Sequence, residues 1–141
     1  MTTDEKGKPL LPRVSRSKTL RVLCAEDNEQ IALVVRYALE DAGHFVECVE
    51  DGQTALERIT SNLNFFDVLM TDHQMPCLSG LGLVSKLRDT AFSGTIIVHS
   101  SHLSTAEADA YRALAVDYIF TKPTELAALL TIIQQLVEKI P

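Results

Sequence analysis

Residues 20–43, LRVLCAEDNEQIALVVRYALEDAG, change character half-way along. LRVLCA (20–25) is a short apolar run of strand type. After it, Ile31, Val34, Val35, Ala38, Leu39 and Ala42 recur at the spacing of one helical face, with Gly43 as the stop. A strand therefore hands over directly to an amphipathic helix, and two acids, Glu26 and Asp27, sit at the junction.

The same unit repeats downstream. FVECVE (45–50) reads as a strand and DGQTALERITSN as a helix carrying Ala55, Leu56 and Ile59 on one face. DVLMT (67–71) is followed by a helix near 82–91, TIIVH (95–99) by a helix near 104–114, and DYIF (117–120) by a long helix over 124–140. Five strand-helix pairs of this kind predict right-handed crossovers and a parallel sheet covered by helices on both faces. The nearly continuous apolar strands fit burial on both sides. In the last helix Leu126, Leu129, Leu130, Ile133, Val137 and Ile140 form the expected core stripe. Ala128 and Ile132 fall outside it, either broadening the core face or offering an apolar and polar partner surface.

A chain of 141 residues with 46% hydrophobic content is sized for one domain with a sizeable core. No apolar run approaches the roughly 20 residues of a membrane span, and the N-terminus lacks an apolar signal core, so a cytoplasmic protein is expected. Cys24, Cys48 and Cys77 lack metal-type spacing and read as reduced, buried or half-buried thiols. Residues 1–21 carry a net charge of +4 and residues 22–141 one of −10, together the −6 of the whole chain. The acidic folded part argues against direct binding of nucleic acid, whose phosphates require clustered Lys and Arg. Residues 1–18, rich in Pro, Ser, Lys and Gly, read as a disordered basic tail or a cloning remnant, leaving 19–141 as the domain.

In a doubly wound sheet, ligands bind outside the carboxyl ends of the strands. The residues there are Glu26 and Asp27, then Asp72, then Ser100 and Ser101, then Lys122 and Pro123. Two unit charges about 4 Å apart repel by roughly 4 kcal/mol at an effective dielectric of 20, so three clustered carboxylates call for a cation. An all-oxygen set with room for water and phosphate oxygens suits Mg2+, with Mn2+ possible, better than a calcium cage, and it lacks the Cys and His ligands of zinc. Lys122 adds positive charge and Ser100 a hydroxyl. These are the parts of phosphoryl transfer, with Asp72 as the carboxylate nucleophile.

At CAEDN, TDHQMPCLSG, IIVHSS and DYIFTKP the sequence resembles the receiver domains of two-component response regulators over about residues 20–140. The resemblance implies a flavodoxin-like (βα)5 fold, a five-stranded parallel sheet in the order 2-1-3-4-5. It implies that Asp72 accepts a phosphoryl group, and that Asp27, Asp72 and the backbone carbonyl of Gln74 ligate Mg2+ with Glu26 assisting through water. Lys122 would pair with the phosphate and Ser100 would swing inward to it. The Lys122–Pro123 peptide would be cis, an isomer that an X-Pro bond adopts at a cost of only about 0.5–1 kcal/mol. Ser79 stands where an aspartate is common but caps a helix equally well, and Gly80 is expected to supply a permissive turn. The aromatic usual three residues before the lysine is replaced by Ile119, with Tyr118 and Phe120 pointing to the opposite face of the strand. That puts the usual aromatic switch in doubt. Gln74 and His102 flank the path of an attacking water and would tune phosphoryl lifetime, His102 reading equally as an exposed loop residue. His73 reads as an exposed loop residue, His99 as packed at a strand end and His44 as a turn residue.

The expected function is therefore a regulatory phospho-acceptor served by a histidine kinase or histidine phosphotransfer protein. It would act on a downstream protein partner or output domain, as a monomer or a phosphorylation-dependent homodimer. No output domain follows residue 140, which fits a stand-alone receiver or a piece of a longer chain. Such a protein is not an enzyme beyond its own phosphoryl transfer and dephosphorylation. Two alternatives stay open: a degenerate receiver that binds partners without phosphorylation, and an aspartate-nucleophile phosphatase. The phosphatase would need a general acid two residues past the nucleophile, where Gln74 cannot serve.

Overall fold

The computed structural model describes residues 19–121 and 126–140. The expected tail, Lys122 and the Lys122–Pro123 peptide lie outside the described residues. The elements alternate as the sequence predicts: β1 Arg21–Ala25, α1 Glu29–Asp41, β2 Phe45–Val49, α2 Gly52–Ser61, β3 Val68–Thr71, α3 Gly80–Arg88, β4 Thr95–Ser100, α4 Thr105–Ala113, β5 Tyr118–Thr121 and α5 Leu126–Glu138. All pairings are parallel and the order is β2-β1-β3-β4-β5, the expected flavodoxin-like arrangement.

Strand periodicity divides the core into two layers. Val22 and Cys24 of β1, Val68 and Met70 of β3 and Ile97 of β4 face α1 and α5, packing with Val35, Leu39, Leu129, Ile133 and Val137. The intervening Leu23, Ala25, Leu69, Ile96 and Val98 face α2, α3 and α4. Ile119 joins this second layer, while Tyr118 and Phe120 lie in the first and stack on each other, as strand alternation requires.

Helix starts are set by side-chain caps. Asn28, Asp51, Ser79 and Ser104 each accept a hydrogen bond from a first-turn N–H of α1, α2, α3 and α4 respectively. Because Ser79 engages the N–H of Gly82, α3 begins at Gly80, two residues earlier than the apolar spacing suggests. Past the end of α1, Gly43 takes φ +94°, the left-handed conformation that stops a helix.

Three packing expectations need correction. The buried line of α1 is Ala32, Val35 and Leu39, whereas Val34 is 50% exposed and Ala42 lies at the surface. The helix rests on the sheet along one narrow stripe, so an apolar residue one step off that stripe turns outward. In α5 the outlier Ile132 packs against the core, and Leu126 of the expected stripe is exposed. Cys77 is exposed, at φ +69° in the loop before α3, while Cys24 is buried and Cys48 half-buried.

Candidate phospho-acceptor site

The sheet ladder carries the key acids past the strand ends. The N–H of Glu26 donates to the Val49 carbonyl at 3.0 Å, and that of Asp72 to the Ala25 carbonyl at 2.9 Å. Both residues are thus held in register beyond β1 and β3 and are largely buried, at 4% and 9% exposure. The Asn28 N–H donates to Glu26 Oε2 at 3.2 Å, so the residue that caps α1 also steadies the first acid. Asp27 between them is exposed. Each of Glu26, Asp27 and Asp72 offers a carboxylate oxygen, and these oxygens lie within 4.8 Å of one another. Such crowding of anions is a donor set for a hard divalent cation and costs stability without one.

Asp72 is anchored on several sides. His73 N–H donates to its Oδ1 at 2.7 Å, and the Thr71 hydroxyl donates to its carbonyl at 2.9 Å. Ser100 closes β4, is buried at 3% exposure, and pairs in register with Thr121 of β5, the residue before Lys122. Its hydroxyl donates to the His102 carbonyl at 3.2 Å, within its own loop. His102 and Gln74 are both exposed beside this edge. The structure therefore brings together Glu26, Asp27 and Asp72, with Ser100 at the end of the adjacent strand.

Gly80 is required for space rather than for a turn. It lies in the first turn of α3, and a Cβ built on it would stand 2.2 Å from the Asp72 carbonyl oxygen and 2.7 Å from the Tyr111 hydroxyl. Its N–H donates to the His73 carbonyl at 2.8 Å, holding α3 against the Asp72–His73 backbone.

His73 overturns the expectation of an exposed loop histidine. Its ring is buried at 7% exposure, with Nδ1 2.7 Å from the Tyr111 hydroxyl and Nε2 2.6 Å from Glu107 Oε2. Tyr111 is fully buried, and burial first, then the charges of Asp72 and Glu107, push its phenol well above the usual range. Glu107 is held down to about 2, first by the backbone N–H of Ser104 and then by His73. Neither Tyr111 nor Glu107 stands out in sequence as a site residue. The one legible trace is the Ser104-x-x-Glu107 capping box, which says nothing of a histidine 34 residues away. His44 also differs from expectation, being buried with Nδ1 accepting the Leu20 N–H at 3.1 Å.

The model of the response regulator receiver domain matches residues 22–134. The chain belongs to this family. It is 32% identical over 108 residues to the two-component response regulator ORR41 of Oryza sativa subsp. japonica, covering 75% of this chain and 85% of that protein. It is 29% identical over 126 residues to the sensory/regulatory protein RpfC of Xanthomonas campestris pv. campestris, covering 86% of this chain but 17% of that one. Among solved structures, the receiver domain of the Francisella response regulator 1452 superposes with a TM-score of 0.77 at 27% identity, over 87% of this chain and all (100%) of that one. The chemotaxis response regulator CheY4 of Vibrio cholerae gives 0.75 at 27% identity, over 83% and 98%. Receiver domains are signalling modules of two-component systems and bind Mg2+ at an acidic pocket. Glu26, Asp27 and Asp72 form the acidic group of this one. Among the described residues no helix is long and apolar enough to cross a membrane.

Proposed function

We propose that this receiver accepts a phosphoryl group on Asp72, in a Mg2+-dependent reaction, from a phosphohistidine of a histidine kinase or phosphotransfer protein. The observation that carries the reading is the convergence of the Glu26, Asp27 and Asp72 carboxylate oxygens within 4.8 Å at the carboxyl edge of the sheet. In the transfer, a bond forms between an Asp72 carboxylate oxygen and phosphorus as the donor's P–N bond breaks, its electron pair staying on the imidazole nitrogen. A bound divalent cation neutralises the negative charge of the phosphoryl oxygens. Asp27, Asp72 and the Gln74 carbonyl would hold it, with Glu26 acting through water. Ser100 would exchange the His102 carbonyl for a phosphoryl oxygen, and Lys122 would pair with the phosphate. Water attack at phosphorus, past Gln74 and His102, would later restore the carboxylate.

The donor must reach the mouth of this site, where α1 begins. Beside it Leu33, Val34 and Tyr37 are 52%, 50% and 66% exposed, an apolar patch suited to a partner helix. Because phosphohistidine is made from ATP, the reading implies a cytoplasmic site of action. The output is control of a downstream protein partner or output domain through movement of the segment after Ser100.

Intact-mass measurement after incubation with acetyl phosphate and Mg2+ tests the reading. Wild type should gain one labile phosphoryl group, and Asp72→Asn should gain none. An equal gain in the variant, or none in either protein, rejects it; turnover of many donor molecules would indicate a phosphatase instead.

A further inference from the structure

We propose that His73 is a positioning residue that ties the phospho-acceptor to the first turn of α4 through Glu107 and Tyr111; this rests on the reading of Asp72 as the acceptor. The tie starts at the acceptor itself. The His73 N–H donates to Asp72 Oδ1 at 2.7 Å, and its carbonyl accepts from Gly80 at 2.8 Å, so its backbone shares every displacement of the acceptor. Its ring cannot turn freely, because both nitrogens are engaged and the ring packs edge-on against Tyr111, with centroids 5.5 Å apart at 76°.

One proton in this set of bonds is fixed by chemistry. Glu107, with its carboxyl near 2, is ionised at neutral pH and only accepts, so Nε2 of His73 carries the proton it donates. On the other side of the ring Nδ1 lies 2.7 Å from the Tyr111 hydroxyl, which can serve it as donor or acceptor.

Glu107 links these bonds to the loop between Ser100 and α4. Its other oxygen, Oε1, accepts the Ser104 N–H at 2.9 Å, while the Ser104 hydroxyl accepts the Glu107 N–H at 3.1 Å. One carboxylate therefore both caps α4 and grips the residue after the acceptor. The cap lies four residues past Ser100, whose hydroxyl is bonded to the intervening loop at His102. A shift of the Asp72–His73 peptide on phosphorylation moves Glu107 or releases it from His73, which loosens the carboxylate half of the capping box while the Ser104 hydroxyl still accepts the Glu107 N–H. The aromatic absent at Ile119 has a counterpart in this layer, since Tyr111 packs in the same cluster as Ile119 but comes from α4.

Amide hydrogen exchange over residues 101–113, with and without acetyl phosphate and Mg2+, tests the tie, with the phosphorylated fraction followed by intact mass and the proteins compared at matched fraction. Loss of a charge-assisted hydrogen bond should speed exchange of the first-turn amides of α4 about tenfold or more in unphosphorylated His73→Ala. Wild type should show a phosphorylation-dependent change at these amides, and His73→Ala should lose it. His73→Gln, whose amide N–H can reach Glu107, should restore it, and Tyr111→Phe, which keeps the packing, should weaken it. Ser104→Ala, which removes the hydroxyl cap but leaves His73 on Glu107, should retain it. A wild-type response in His73→Ala, or equal responses in the Ala and Gln variants, overturns the proposal. If wild type itself gains no phosphoryl group, the reading of Asp72 falls first, and the mass measurement reports that separately.

Discussion

Replacing Gly80 with alanine sets helix propensity against space. Gly80 lies in the first turn of α3 without a positive φ, so propensity alone favours alanine there by up to about 1 kcal/mol. The added Cβ, however, would stand 2.2 Å from the Asp72 carbonyl oxygen and 2.7 Å from the Tyr111 hydroxyl, where ordinary contact begins at 3.4 Å. Relief requires a retreat of about 1 Å by backbone that is tied to β1, to Thr71 and to Gly80 itself. Overpacking against such a site costs about 1–3 kcal/mol or more, which outweighs propensity. With a urea m-value of about 2 kcal/mol/M, the unfolding midpoint of Gly80→Ala should fall by roughly 0.5–1 M. The same displacement moves Asp72, the proposed acceptor. A misplacement of about 1 Å slows a positioned reaction on the order of a hundredfold, so phosphoryl uptake from acetyl phosphate should drop far more than stability predicts. A Gly80→Ala protein with the wild-type midpoint and the wild-type uptake rate would refute the argument that this glycine exists to let α3 approach Asp72.

Three further outcomes follow from the same geometry. Mg2+ at a hundred times its Kd should stabilise wild type by about 2.7 kcal/mol in thermal unfolding, and Asp27→Asn should lose most of that at the same concentration; equal stabilisation of both would place the ion elsewhere. Glu107 has its carboxyl lowered in the fold from 4.5 to about 2, so its contribution is present above pH 4.5 and lost as pH falls from there towards 2. Urea midpoints over that window should therefore decline more steeply in wild type than in Glu107→Ala, and parallel declines would contradict the assigned bonds. The Cys48 thiol is brought down to about 7 by a hydrogen bond from Cys24, which outweighs the effect of burial, so its alkylation by iodoacetamide, read by peptide mass, should be half-maximal near pH 7; a midpoint above 8 would argue against that contact.

Much of the molecule is legible in the linear chain because its information is local. Short apolar runs alternating with 3.6-residue periodicity dictate strand-helix pairs, and a parallel sheet then places Glu26, Asp27, Asp72 and Ser100 at one edge whatever the details of packing. Ser79 as a cap was readable for the same reason, since a cap involves only residues three apart. The buried line of α1 was less so. Val34 and Val35 are equally apolar, and only contact with the sheet and α5 decides which of them is covered.

Long-range contacts escaped the sequence entirely. Gly80 reads as a turn residue, yet its constraint is the Asp72 carbonyl and the Tyr111 hydroxyl pressed against it. His73 reads as an exposed loop residue from its place after β3, yet its ring is buried and bonded to Tyr111 and Glu107 of α4. The sequence by itself determined the alternation of elements and the cluster of acids, because periodicity and strand polarity are properties of neighbouring residues. The tertiary structure alone decided that Tyr111 and Glu107, 38 and 34 residues beyond His73, hold the histidine beside Asp72. Which side chains meet across a helix–sheet interface depends on how each element is rotated and seated, and packing sets that only once the whole core has closed.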